Sequence, residues 1–195
     1  SRRVYIRPLL PEASDDYLGM KVVVEIKEWK NPQSDNPIGT IVETLGKAGD
    51  HETEMQAILR SGNFSENFPP PVQQAAEKLY QKKADIFKAA ENDPNRKDFR
   101  STTTITIDPA DAKDFDDALS FRRCENGNIE VGIHIADVSH YVKEGDPIDK
   151  EARERGTSVY LVDRVIPMLP EVLSNDLCSL RPHEDRLAFS AVFEL

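Results

Sequence analysis

Apolar residues cluster in three short stretches near the start of the chain, separated by polar residues, and predict three β-strands. The stretches cover residues 3–8, 20–29 and 37–45, and a polar loop containing Pro and Asn joins the last two. Three strands are too few to close a barrel, so we expect a domain that is truncated at its start. Its aromatic residues Tyr5 and Trp29 either stack on nucleic-acid bases or pack a small core.

The apolar pattern becomes helical further along the chain. Residues 55–59 predict a short helix or an extended segment, and a longer amphipathic helix is predicted from Val72 to about Asn92. Prolines at 69–71 precede this helix, and Asp93-Pro94 ends it. We interpret it as a linker helix. Its apolar positions recur at three- and four-residue spacing: Val72, Ala75, Ala76, Leu79, Tyr80, Ala84 and Phe87.

Strand signals return at residue 102, where six β-branched residues run to Ile107 and stop at Asp108-Pro109. A hairpin is predicted next, with strands at 118–123 and 128–136 around an Asn-Gly turn. In its second strand, apolar residues alternate with polar or small ones, which predicts that the strand buries one face. The apolar residues are Ile129, Val131, Ile133 and Ile135.

The chain that follows the hairpin predicts a helix and one more strand. Asp137 comes directly after the hairpin and either lies near Asp108 or caps the next turn. An Asp-Pro pair begins a helix at 148–155, which a glycine ends. Residues 157–162 then predict a strand that carries Tyr160.

Five aspartates within ten positions follow the β-branched run. In a turn of this length their carboxylates repel one another unless some are exposed, protonated or bound to cations. A single loop aspartate is usually a turn or cap residue, but that explanation is weak for all five together. We therefore predict a metal site. The aspartates are Asp108, Asp111, Asp114, Asp116 and Asp117.

The spacing of the aspartates favours Mg²⁺ over Ca²⁺. A calcium loop of the EF-hand type that began at Asp108 would need Gly at its sixth position and Glu at its twelfth. Those positions hold Lys113 and Leu119. Magnesium binds a few carboxylates together with water and substrate phosphate oxygens, so the cluster suits metal-assisted phosphodiester chemistry.

The net charge of −10 is concentrated around the aspartates. Residues 101–195 carry 19 acidic and 10 basic side chains. A carboxylate site needs local negative charge to hold divalent cations, so this acidity does not exclude an RNA substrate, but it requires basic phosphate contacts elsewhere. The basic run at 96–100 either brings cations near the β-branched strand or forms a solvated loop.

Composition predicts a globular, cytoplasmic protein. Hydrophobic residues make up 38% of the 195 positions, no apolar run approaches the ~18 residues of a membrane span, and no signal-peptide core follows Ser1-Arg2-Arg3. Cys124 and Cys178 are isolated and lack metal-ligand spacing, which favours reduced thiols. The four histidines form no zinc pattern.

Several long motifs resemble the catalytic domain of the ribonuclease II/ribonuclease R (RNB) family, nearest its ribonuclease R branch. They are DPADAKDFDDALSF, VGIHIADVSHYV, GTSVYLVDRVIPMLPEVLSNDLCSLRP and DRLAFSAVFEL, in the family's order. Upstream, IGTIVETLGKAGDHETEMQAILRSG resembles the family's second cold-shock (OB) domain and linker. The resemblance implies an α+β chain with a partial OB-type β-barrel at 1–50, a linker with a long helix at 51–100, and the N-terminal part of a mixed α/β catalytic domain at 101–195.

The resemblance also implies an activity and its residues. The family comprises processive, hydrolytic 3′→5′ exoribonucleases that use Mg²⁺ and release nucleoside 5′-monophosphates, so RNA with a single-stranded 3′ end is the implied partner. Tyr160 matches a tyrosine that stacks on a base near the scissile 3′ end. The matches to the family's four active-site aspartates, as catalytic and metal-binding residues, are Asp108, Asp114, Asp116 and Asp117; Asp111 stays unassigned.

The family's catalytic domain continues past Leu195 and supplies an essential arginine there, so we expect a fragment without processive activity. An apparent last strand that lacks sheet partners and covering helices should expose apolar surface and can pair with another copy. Two alternatives stay open for the parent protein. One is a catalytically inactive RNA-binding homologue, which would be expected to lose at least one of the four aspartates. The other is a metal-stabilised structural module.

Overall fold

The computed structural model describes residues 5–6, 16–28 and 38–195. The chain forms two compact units, residues 1–66 and residues 67–195. None of the described helices is both long and apolar enough to cross a membrane. The predicted mixture of helices and strands is confirmed.

In the first unit, the described residues form a three-stranded sheet and one helix. Its strands are β1 (Tyr5–Ile6), β2 (Met20–Glu28) and β3 (Ile38–Lys47), in the order β1-β3-β2. Strands β2 and β3 pair antiparallel, and β1 pairs parallel to β3. The described strands do not close into a barrel, as the sequence predicts. The predicted loop between β2 and β3 lies outside the described residues. The side chains of Tyr5 and Trp29, for which base stacking was one interpretation, are not described either.

Helix α1 (His51–Ser61) follows β3 and settles the ambiguous segment at 55–59 as helical. It buries Thr53 and Leu59. The Glu54 carboxylate forms an ion pair with Lys21 of β2 and accepts a hydrogen bond from the Gly49 amide at 2.9 Å. Side chains on one face of the helix therefore connect it to the sheet.

The predicted single helix at 72–92 is wrong in its continuity. The structure has α2 (Pro70–Gln81) and α3 (Lys83–Glu91), and the backbone leaves the helix at Lys82, with φ −91° and ψ 4°. Position 83 falls on the apolar face of the predicted helix but holds a lysine, whose ammonium bonds to Asp176 at 2.8 Å. The break lies beside this tertiary contact, which local periodicity does not contain.

The second unit contains an antiparallel four-stranded sheet. Its strands, in spatial order, are β4 (Thr103–Ile105), β5 (Asp117–Arg123), β6 (Ile129–Ala136) and β9 (Ala188–Glu194). The predicted hairpin of β5 and β6 is confirmed. The strand expected over 102–107 is only three residues long, and the chain is irregular after Ile105.

Short elements connect β6 to β9. Asp146 caps α5 by accepting a hydrogen bond from the Asp149 amide at 2.7 Å, and Gly156 ends it at φ 71°, as the sequence predicts. The strand expected over 157–162 shortens to two residues. The elements are α4 (Val138–Tyr141), α5 (Pro147–Arg155), β7 (Val159–Tyr160), β8 (Val165–Ile166) and a π turn (Leu173–Leu177).

The main core of the second unit lies between its helices, the π turn and the end of β6. Its largest fully buried members are Ile148, Leu173 and Leu177. Both linker helices contribute to it, since Ala76 of α2 and Ala90 of α3 are buried in the same cluster. The helices at 70–91 are thus part of this unit's core.

The prediction that β6 buries its apolar face fails for three of the four alternating residues. Ile129, Ile133 and Ile135 are 42–46% exposed, whereas the residues on the opposite face, Gly132, His134 and Ala136, are buried. Alternation identifies two faces, but the covered face here carries the small and polar residues, because His134 bonds to a serine on each neighbouring strand.

The exposed face of the sheet is apolar across all four strands, and we call it the open apolar face. Ile105, Leu119, Ile133 and Ala191 stand opposite one another across β4, β5, β6 and β9. Phe189 and Phe193 of β9 are 75% and 52% exposed. The expectation that the chain exposes apolar surface is therefore confirmed, whereas the expectation that the last strand lacks a sheet partner is wrong, because β9 pairs with β6 over residues 188–194.

Candidate active site

An irregular loop at residues 106–116, here called the acidic loop, joins β4 to β5 and carries four of the five aspartates. Asp117 begins β5 and is therefore fixed by the strand ladder. At the loop's end the Ala136 amide of β6 donates to the Asp116 carbonyl at 2.9 Å. The loop thus runs from the edge strand β4 to the inner strand β5. Its carboxylates are concentrated on this one short segment.

The carboxylates of this segment interact electrostatically. Partial burial raises the pKa of Asp116, and the charges of three neighbouring aspartates raise it further. Those neighbours are Asp114, Asp117 and Asp108, in decreasing order of effect. These are the four positions predicted from the sequence, and the structure brings them within electrostatic reach. Asp111 is exposed and does not contribute to this effect.

The donor chemistry of the site fits a divalent cation. Asp108 Oδ2 is buried and has no hydrogen-bond partner among the described residues, an arrangement that a bound cation would satisfy. Mutual repulsion among the carboxylates would be relieved in the same way. In the described ranges, no three His, Cys, Asp or Glu side chains already converge on one point. Such an open arrangement suits a cation that takes few protein ligands and completes its shell with water and substrate oxygens.

Tyr160 of β7 lies beside the acidic loop. Its hydroxyl donates a hydrogen bond to Asp114 Oδ2 at 3.2 Å, and the residue is 68% exposed. The negative charge of Asp114, partial burial and this hydrogen bond raise the pKa of the tyrosine. Two residues 46 positions apart in sequence therefore meet, and an exposed aromatic ring stands next to the carboxylates.

Asp137 is the cap of α4 and the partner of an arginine. Its carboxylate accepts hydrogen bonds from the His140 amide at 3.1 Å and from Arg96 Nη2 at 2.8 Å. Burial alone would raise the pKa of Asp137, but the hydrogen bonds from Arg96 and Ser139 and the arginine charge outweigh it and lower the pKa. The sequence leaves two roles open for Asp137, a place near Asp108 or a helix cap, and in the structure it is the N-cap of α4.

The basic run at 96–100 is neutralised by carboxylates of the same unit. Arg96 pairs with Asp137, and Lys97 lies 3.6 Å from Glu130 and over the ring of Phe99. Arg100 pairs with three carboxylates: Asp98, Glu91 and Asp185. Both sequence interpretations therefore miss the ion pairs, whose partners lie up to 85 residues away and leave no local signal.

Cys178 lies in the core behind the acidic loop. Burial raises the pKa of its thiol to about 12, and the negative charges of Asp116 and Asp137 contribute to the shift. The thiol is therefore protonated and unreactive at neutral pH. Both cysteines are free, as the sequence predicts.

Two family models match the chain. The model described as "RNB domain" matches residues 96–195, which include the acidic loop and Tyr160. The model described as "Cold shock domain" matches residues 4–69, which include the three-stranded sheet and α1.

Curated and solved relatives extend over nearly the whole chain. "Ribonuclease R 1" of Lactococcus lactis subsp. lactis (strain IL1403) is 44% identical over 199 residues, covering 99% of this chain and 23% of the relative. The structure of Mycoplasma genitalium RNase R in complex with ribose methylated single-stranded RNA superposes with a TM-score of 0.81 at 29% identity, covering 99% of this chain and 29% of that one.

A third similar protein is described as lacking nuclease activity. The structure of yeast Ssd1, "a pseudonuclease", has a TM-score of 0.73 and 26% identity, and covers 98% of this chain and 24% of that one. The chain thus spans about a quarter of the length of the proteins it matches.

Proposed function

Because the chain belongs to the RNB family, we propose that the protein is a processive, hydrolytic 3′→5′ exoribonuclease that degrades single-stranded RNA to nucleoside 5′-monophosphates. The observation that carries this proposal is the contact between Tyr160 and Asp114, which sets an exposed aromatic ring beside mutually repelling carboxylates. An aromatic ring can stack on an unpaired base of any sequence, and carboxylates bind the cations that phosphodiester hydrolysis uses.

We propose that the catalytic and metal-binding residues are those four aspartates of residues 108–117 whose charges act on one another. The orphaned Asp108 oxygen and the raised pKa of Asp116 support this assignment. When bound, Mg²⁺ would activate water and stabilise the leaving 3′ oxygen. The protein's own contribution is to hold the four carboxylates close together in place. The residues are Asp108, Asp114, Asp116 and Asp117.

Tyr160 is the proposed substrate-binding residue. A base stacked on its ring would fix the 3′ end relative to the Asp114 carboxylate, whose Oδ2 lies 3.2 Å from the phenol oxygen. Contacts with the 2′-hydroxyl would allow the site to distinguish RNA from DNA. Arg96, Lys97 and Arg100 already pair with carboxylates of this unit, so phosphate contacts from these cations would require their ion pairs to open.

We further propose the domain boundaries and location predicted above. Residues 1–50 would form part of a cold-shock RNA-binding domain, residues 51–100 a connecting region whose helices α2 and α3 pack into the core of the second unit, and residues 101–195 the N-terminal part of the catalytic domain. The two matching family models support an RNA-binding and a nuclease region. Two free thiols support a reducing compartment such as the cytoplasm.

A catalytically inactive RNA-binding protein is the second candidate function. The similarity to Ssd1, described as a pseudonuclease, favours it, because the same fold occurs without nuclease activity. The presence of all four aspartates favours the nuclease. A structural module stabilised by a metal is the third possibility, and it predicts cation binding without RNA binding.

The deciding experiment measures release of nucleoside 5′-monophosphates from single-stranded RNA by the full-length protein, with and without Mg²⁺. Asp116→Asn should lower turnover by ~10²-fold or more while RNA affinity is largely retained, because the loss falls on a transition-state interaction. Asp111→Asn is the matched control, since it removes an exposed carboxylate from the same loop. It should retain wild-type turnover.

Three outcomes separate the candidates. Mg²⁺-dependent release that Asp116→Asn abolishes and Asp111→Asn spares supports the exoribonuclease. RNA binding without release indicates the inactive homologue. Stabilisation by Mg²⁺ with neither binding nor release indicates the structural module.

A further inference from the structure

Ser179 connects the chain just after the π turn to the acidic loop through a fully buried hydroxyl group. Its Oγ accepts a hydrogen bond from the Phe115 amide at 3.0 Å and donates one to the Lys113 carbonyl at 3.0 Å. Next to it, the Leu180 amide donates to the Phe115 carbonyl at 2.7 Å. All three bonds end on backbone atoms on either side of Asp114, so they fix the peptide units that carry this carboxylate.

Ser179 is itself held by a buried arginine. Arg186 Nε donates to the carbonyls of Ser179 and Asp176, each at 2.9 Å, and its Nη2 donates to Asp176 Oδ1 at 2.8 Å. The arginine side chain is only 4% exposed. Lys83 of α3 bonds to the same Asp176 oxygen at 2.8 Å. The serine therefore belongs to a rigid network anchored in the core.

The acidic loop depends on such outside contacts for its shape. Within residues 106–116, all of which the structure describes, one backbone hydrogen bond joins two loop residues, from the Ala112 amide to the Pro109 carbonyl at 3.0 Å. The other contacts that fix its backbone come from Ser179, Leu180 and Ala136. Like charges concentrated in this loop repel one another, and without those contacts the loop would spread.

We propose that Ser179 is a positioning residue that sets the spacing of Asp114 and Asp116 and thereby the affinity of the site for a divalent cation. This inference rests on the proposed function, because it concerns the same carboxylates. Ser179 reaches no carboxylate directly and acts only through the loop backbone. Groups that orient metal ligands in this way typically contribute 10- to 100-fold to metal affinity.

The test compares Ser179→Ala with the wild type in the full-length protein. Direct Mn²⁺ binding to the RNA-free protein, measured by electron paramagnetic resonance, should weaken by ~10-fold or more. The Mg²⁺ concentration for half-maximal nucleotide release should rise in parallel, and saturating Mg²⁺ should restore most of the rate. Ser179→Cys keeps a hydrogen-bonding group at this position, although the thiol is slightly larger and bonds more weakly, and should shift both values less, in the same direction.

Ser120→Ala is the matched control for loss of a buried serine. Ser120 is 1% exposed and bonds to His134 at 2.8 Å inside the sheet, away from the acidic loop. It should lower the unfolding temperature and leave Mn²⁺ affinity unchanged. Ser174→Ala, which removes a hydroxyl from the π turn itself, should leave both unchanged because its bond to Asn175 stays within that turn.

The outcomes distinguish this inference from the proposed function. Unchanged Mn²⁺ affinity in Ser179→Ala and Ser179→Cys, with only a lowered unfolding temperature, would show a purely structural serine and overturn the inference. If Ser179→Ala does not fold, Ser179→Cys decides by the same measurement. If the wild type binds Mn²⁺ but releases no nucleotide, the exoribonuclease is wrong, whereas the binding comparison still decides the role of Ser179.

Discussion

The acidic loop and the β5–β6 hairpin beside it are stabilised in opposite ways. The hairpin pairs seven residues of each strand in register, from Asp117 and Ile135 to Arg123 and Ile129. The loop has one internal backbone bond and is held by Ser179, Leu180 and Ala136 from outside. The paired strands of the hairpin stabilise each other, whereas the conformation of the acidic loop depends on contacts with residues outside it. This separation predicts that substitutions in the two regions alter different measurements.

The largest expected effect concerns residues 1–195 alone. This polypeptide keeps the loop and the hairpin, but the family resemblance places an essential arginine beyond residue 195. Loss of one such cationic stabiliser typically lowers the rate ~10²- to 10³-fold, and incomplete closure of the RNA channel weakens positioning as well. We expect no processive degradation of single-stranded RNA in Mg²⁺. Robust nucleotide release that Asp116→Asn abolishes would show that the loop is sufficient by itself.

Tyr160→Ala tests whether an aromatic ring beside the acidic loop binds the RNA substrate. A stacked base contributes ~1 to 3 kcal/mol, and this matters most for the shortest RNAs, so the length of the final undegraded oligonucleotide should change. Because Tyr160 is 68% exposed, the unfolding temperature should stay close to that of the wild type. Tyr80→Ala, which removes an exposed aromatic from α2, is the control. If Tyr160→Ala and Tyr80→Ala both left the same final oligonucleotide as the wild type, the stacking role would be contradicted.

Gly132→Ala tests the hairpin side. A Cβ atom at this position would lie 2.4 Å from Ser120 Oγ and 2.6 Å from His134 Nε2, so these buried side chains or the strands that carry them must shift. We expect the free energy of unfolding to fall by ~1 to 3 kcal/mol with no change in Mn²⁺ affinity. Adding Ser120→Ala removes the nearest atom and should recover part of the loss in a double-mutant cycle. A strictly additive loss would contradict this steric explanation.

The smallest expected effect is on pH dependence. Burial lowers the pKa of His134, and burial together with the Arg96 charge lowers that of His140. The unfolded chain therefore binds more protons as pH falls below about 6.5, and the free energy of unfolding should decline between pH 7 and pH 5. Denaturant titrations should show a shallower decline for His134→Gln and for His140→Gln. An unchanged slope in both would contradict the assignment.

Local sequence signals predict the parts of the fold that are built from neighbouring residues. The hairpin around Asn126-Gly127 and the capped helix α5 follow from residues a few positions apart, and both are confirmed. The four aspartates stand out because their density conflicts with an ordinary loop. Their placement near Tyr160 was implied by family resemblance, since no local pattern spans 46 residues.

The features that the sequence did not predict depend on distant contacts. Arg96 bonds to Asp137, which is 41 positions away in the sequence, and Ser179 bonds to Phe115, which is 64 positions away. Neither pair produces a periodic pattern. The wrong face assigned to β6 has a related cause, because alternation shows that two faces differ and not which one is covered. In this sheet a histidine with two serine partners is buried, and isoleucines remain outside.

The open apolar face has a consequence for synthesis of the protein. Three strands of the sheet, β4, β5 and β6, are close in sequence and can pair early during synthesis, whereas β9 joins β6 only after residues 188–194 have been translated. Phe189 and Phe193 are then exposed on the assembled sheet. Nascent chains that have reached β9 should therefore bind chaperones that recognise apolar strands.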